Sequence, residues 1–71
     1  MCLAVPGLVR ERTGDELLVD MQGNVLKVSA VLIPDIAVGD WVLVHAGFAL
    51  TQLDEQEARQ TWDYLNEALG D

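Results

Sequence analysis

The chain has 71 residues, with 12 Asp plus Glu against 4 Lys plus Arg and a formal net charge of −8. A nucleic-acid footprint commonly engages roughly 6 to 10 phosphates, which four scattered cations cannot neutralise, so nucleic acid is not an expected partner. One cysteine permits no internal disulfide and, with one histidine, leaves no cluster to close a structural zinc site.

Without either staple, a chain this short must take its stability from packing or from a partner. It is expected to form a single domain, residues 1–71. Cysteine usage fits a reducing cytosol, no basic leader precedes the opening apolar residues, and no run approaches the ~18 apolar residues of a membrane span. The reading is therefore cytoplasmic and soluble, with no membrane partner. The acidic balance aids solubility and favours a basic surface on whatever docks.

In chain order, residues 3–12 predict a first strand that bends at Pro6-Gly7. Proline there suits a strand mouth or edge, and glycine suits a bulge or a close backbone approach. Residues 13–16 read as a turn and residues 17–21 as a second strand. Gln22-Gly23-Asn24 then reverses the chain into a return strand over 25–29. Val25 and Val28 are out of step in that strand, so its faces stay unassigned. Residues 30–33, Ala-Val-Leu-Ile, predict a short strand stopped by Pro34. After a connection, Gly39-Asp40 leads into residues 41–45, apolar on both parities and therefore expected mid-barrel. Residues 46–50 continue that strand past Gly47, read as a corner.

Short strands punctuated by turn residues predict a mainly β fold: a small closed barrel of the OB or SH3-like kind over residues 1–53. The period then changes to that of a C-terminal helix, residues 54–69. Asp54 is the N-cap, Glu57 its capping-box partner, and Leu53 with Ala58 a hydrophobic staple. Ala58, Trp62, Leu65 and Leu69 make one apolar stripe, expected to pack on the barrel, while Glu55, Arg59, Asp63 and Glu67 lie off it. Gly70 is the expected stop.

Two side chains stand out chemically, Cys2 and His45. The alternatives are an idle terminal thiol for Cys2 and, for His45, a histidine satisfied by a backbone hydrogen bond. A Cys-His hydrolase needs an oxyanion hole and a substrate cleft, for which a barrel of this size has little room. A metal site fits better but is incomplete, since a thiolate and an imidazole are two ligands where a closed tetrahedral site needs four. If Met1 is removed, the α-amine and thiolate of Cys2 can chelate one borderline or soft cation, iron, zinc or nickel. Asp15, Asp20, Asp35 and Asp40 are expected to be solvated turn acids rather than ligands. A protein with part of a coordination sphere must share its metal and can release it, which is what a carrier requires.

Three stretches carry a resemblance. Met1-Cys2-Leu3-Ala4-Val5-Pro6-Gly7, then Val38-Gly39-Asp40-Trp41-Val42-Leu43-Val44-His45-Ala46-Gly47-Phe48-Ala49, then Asp54-Glu55-Gln56-Glu57-Ala58, together resemble the HypC/HupF family of [NiFe]-hydrogenase maturation chaperones. The resemblance implies an OB-type barrel with a C-terminal helix and a role that is not enzymatic. It implies a complex with the scaffold protein HypD, on which iron acquires cyanide and carbon monoxide ligands. It further implies binding of the hydrogenase large-subunit precursor while that iron group is delivered, before nickel enters. By the family pattern Cys2 contacts iron or the partner's cysteines, and His45 is the histidine near that site. Met1, Cys2, Pro6 and Gly7 form the partner-binding terminus, with Pro6 and Gly7 shaping it so that the thiol projects. The rival is a metal-independent barrel interaction module whose binding face is built on Trp41 and Phe48.

Overall fold

The computed structural model describes residues 4–68. The expectations that fall on Met1, Cys2, Leu69 and Gly70 lie outside the described residues. Five strands are present: β1 (Val5–Thr13), β2 (Glu16–Met21), β3 (Asn24–Ser29), β4 (Trp41–His45) and β5 (Phe48–Leu53), followed by the helix α1 (Glu55–Ala68). They close a barrel in the order β1-β2-β3-β5-β4, with β4 returning to β1. Every pairing is antiparallel except that of β3 with β5. The fold is the expected one, a small OB-like barrel carrying a C-terminal helix.

Closure depends on β1 serving two neighbours. Its first half pairs with β4, from Val5↔Val44 to Leu8↔Trp41, and its second half pairs with β2. The register slips between Val9 and Glu11, and such a bulge bends a strand and increases its twist. Gly7 supplies the close approach the sequence suggests: a Cβ there would lie 2.2 Å from Val19 Cγ1 and 2.9 Å from Met21 Cγ. Only glycine fits where β1 crosses so near β2.

The core follows the two-residue period of strands. Leu17 and Val19 on β2, Val42 and Val44 on β4, and Val9 and Ala49 are buried together. On β3 the ambiguity resolves, with Val28 inside and Val25 exposed. Residues 24–27 are all exposed, because this end of the β2–β3 hairpin runs past the barrel rim.

Two expectations are corrected. Residues 30–33 are not a strand: Ile33 N–H donates to Ala30 O at 3.0 Å and Ile36 N–H to Ile33 O at 3.2 Å, closing consecutive turns. The apolar character of this stretch reflects isolated plugs, since Ala30 and Ile36 are buried while Val31 and Leu32 are exposed. The connection is fastened to β1 by Val9 N–H to Asp40 O and Gly39 N–H to Val9 O, each 2.9 Å, and by Arg12, which donates to Ile36 O. Residues 46–50 do not extend β4 either. Ala46 (φ 54) and Gly47 (φ 83) are both left-handed, which makes a two-residue hairpin turn and sends β5 back along β4.

The helix starts as its sequence dictates. Glu57 N–H donates to Asp54 Oδ1 at 2.7 Å, and Asp54 N–H donates to Glu57 Oε1 at 3.4 Å, the reciprocal bonds of a capping box. Ala58 and Leu65 are buried and Trp62 is half-buried, while Arg59 pairs with Glu55 at 2.9 Å on the exposed side. The described part of the stripe therefore packs on the barrel. Among the described residues no helix is long and apolar enough to cross a membrane.

Candidate functional site

The site is built by strand register. β1 begins where β4 ends, because Val5 pairs with Val44, the residue before His45. The chain ahead of β1 thus joins the barrel at its His45 end. His45 closes β4 and pairs with Phe48 across the turn formed by Ala46 and Gly47. Its side chain is half-buried, and no described residue offers the imidazole a hydrogen bond. The backbone partner that would make it a merely structural histidine is not seen among the described residues.

Pro6 and Gly7 lie just inside this end, and both are buried. Pro6 pairs with Leu43, and its carbonyl accepts the indole N–H of Trp62 at 3.0 Å. Proline has no N–H to give and a fixed φ, so this stretch of β1 has little freedom. The helix is pinned to β1 one residue after Val5. Trp62 was read from the sequence only as part of a stripe; its indole N–H gives it this second use, which spacing alone does not reveal. Met1 and Cys2 lie outside the described residues.

The carboxylates do not assemble into a cation site. Among the described residues no group of three or more His, Asp or Glu side chains could hold a metal ion. Asp20 accepts the Gly23 N–H at 2.8 Å and Asp40 the Ala37 N–H at 2.9 Å, which are turn-stabilising roles. The aromatic residues Trp41 and Phe48 are far apart on the barrel. Trp41 pairs with Leu53 and Phe48 with His45, placing them at opposite ends of the β4–β5 ladder, roughly 13 Å apart along the strand. Trp41 instead joins Trp62, Leu8, Asp20, Asp63 and Arg59 around a cleft of about 480 Å³ between helix and barrel. His45 is not part of its lining.

The chain has counterparts among known proteins. The HupF/HypC family model matches residues 1–65. The chain is 43% identical to the hydrogenase maturation factor HypC of Azotobacter chroococcum mcd 1 over 68 residues, covering 94% of this chain and 81% of the relative. It is 41% identical to HypC of Rhizobium leguminosarum bv. viciae over 73 residues, covering 100% and 97%. It is likewise 41% identical to HypC of Escherichia coli K12 over 71 residues, covering 92% and 79%. With the family model spanning most of its length and relatives this similar across nearly all of it, the chain belongs to the HupF/HypC family.

Proposed function

We propose that the protein is an assembly chaperone in hydrogenase maturation, without catalytic activity of its own, working in the cytoplasm. In this reading it binds a HypD-type scaffold, shares an iron group with it, and stays with the iron while it is delivered to the large-subunit precursor of a [NiFe] hydrogenase. Family membership and relatives named as hydrogenase maturation factors support the role.

One observation carries the finer reading: β1 starts beside His45 through the Val5↔Val44 pair. Cys2 stands three positions before Val5, and three residues span at most roughly 11 Å, a length over which the thiol can reach the His45 end. A thiolate and an imidazole both suit a borderline metal such as iron. Two such donors fall short of a full coordination sphere, and the described carboxylates do not make up the difference. Iron, with its cyanide and carbon monoxide ligands, is then cargo held between two proteins rather than a resident cofactor. Met1, Pro6 and Gly7 complete the partner-facing terminus, the last two by fixing its direction from within the barrel.

The test is the iron and cyanide content of the complex co-purified with the HypD-type scaffold. Wild-type protein is expected to yield a complex containing both, and Cys2→Ala a complex depleted of iron. Equal iron with and without the thiol contradicts the reading and returns the chain to a metal-independent interaction module.

A further inference from the structure

The β2–β3 hairpin leaves a strand edge open. Ser29 N–H donates to Gly47 O at 2.8 Å, toward β5, whereas Ala30 N–H donates to Asp15 O at 2.7 Å, on the β2 side. Backbone groups alternate along an antiparallel strand, so Lys27 and Val25 must also direct their N–H and C=O away from β2. On that side β5 pairs with β3 at Ser29↔Phe48 alone. Among the described residues, no strand takes the outward groups of Val25 and Lys27.

The side chains along this edge are those of a contact surface. Val25 is 54% and Leu26 51% exposed. Leu26 pairs with Val19, a fully buried core residue, so it continues the inward-facing row beyond the rim into solvent. Next to these apolar positions stands Lys27, exposed and the only lysine in the chain. A lysine on an edge discourages pairing with a like strand, and a net charge of −8 on each copy opposes self-association as well. The edge thus offers backbone hydrogen bonds while discriminating against another copy of itself.

We propose that residues 24–28 dock an extended segment of a different protein, which adds a strand to the open side of β3. Main-chain bonds to Val25 and Lys27 give such pairing its affinity, and alternate side chains give it selectivity. The segment must therefore carry an apolar residue against Leu26 and a carboxylate beside Lys27. The edge runs up to the Ser29–Gly47 bond, two residues past His45. An added strand thereby ends at the part of the barrel assigned above to the cargo. In naming the protein that shares that cargo as the source of the segment, the inference rests on the proposed function.

The experiment titrates the full chain and its variants with the purified HypD-type scaffold. Val25→Pro and Lys27→Pro each delete one outward N–H that the β2 ladder does not use, a change strand edges tolerate. Each is expected to weaken binding about tenfold or more while leaving the free protein folded. Lys27→Glu keeps every backbone donor, so it tests the charge even where a proline variant fails to fold, and it is expected to weaken binding several-fold. In the wild-type complex the Val25 and Lys27 amides are expected to exchange more slowly than in the free chain. Unchanged affinity in Lys27→Glu together with unprotected amides overturns the proposal. A wild-type dimer abolished by Val25→Pro also overturns it, by assigning the edge to a second copy. A scaffold that loses iron with Cys2→Ala yet ignores every β3 variant sinks this inference and leaves the proposed function standing; failure of the scaffold to bind the wild-type chain removes both.

Discussion

Trp62 donates its indole N–H to the carbonyl of Pro6 across 3.0 Å, joining the middle of α1 to the start of β1. Without it the Pro6 carbonyl would be a partly buried acceptor with no replacement among the described residues. Trp62→Phe keeps most of the apolar contact and removes the donor, so a loss of about 1–2 kcal/mol is expected. For a domain of this size that corresponds to a melting temperature lower by roughly 5–10 °C. Thermal unfolding followed by circular dichroism measures it, and an unchanged midpoint would show that the bond contributes nothing.

Among the described glycines, Gly7 alone has no room for a Cβ. Gly7→Ala places a methyl group into Val19 Cγ1 and against Met21, and is expected to cost about 3 kcal/mol through overpacking. Val19→Ala removes the offending atom. The double variant should therefore lose clearly less than the sum of the two single losses in urea unfolding. Strict additivity would place the cost of Gly7→Ala elsewhere.

Ala46 carries a left-handed backbone at φ 54, a conformation that costs an L-residue about 1–2 kcal/mol. Glycine removes that cost and adds back some unfolded-state entropy. Ala46→Gly should stabilise the protein by about 0.5 kcal/mol, read from the denaturation midpoint; a destabilisation beyond experimental error would mean that the methyl group is packed in a way the strain argument omits.

His45 is half-buried, and among the described residues nothing bonds its ring. His45→Ala is accordingly expected to change stability by no more than about 1 kcal/mol. Iron retention in the scaffold complex should fall clearly. A large loss of stability with iron unchanged would make the histidine structural.

The fold was readable where local chemistry admits one solution. Asp54 and Glu57 specify a helix start whatever lies around them, and the residues from Trp41 to His45 are a strand by composition. Composition misleads where tertiary context decides. Ala30 to Ile33 has strand composition, but only the closed barrel reveals that Ala30 and Ile36 are wanted as separate plugs, with Val31 and Leu32 left outside. Ala46-Gly47 lacks the Asn-Gly or Asp-Gly signature of a tight hairpin, and a non-glycine residue at positive φ cannot be read from its name.

Part of the candidate site can be read from the sequence. Cys2 and His45 stand out because each is the only residue of its kind. That β1 begins beside Val44, next to His45, depends on strand order, which composition does not encode. The second use of Trp62 was hidden for the same reason, since a hydrogen bond spanning 56 positions leaves no trace in local spacing.

The proposed role turns on whether the thiol takes part in handing iron on. The direct measurement is transfer of isotopically labelled iron from the scaffold complex to the large-subunit precursor, comparing untreated protein with protein alkylated at Cys2. Alkylation is expected to leave the barrel folded and to stop labelled iron from reaching the precursor. Transfer at the untreated rate by fully alkylated protein would contradict the account.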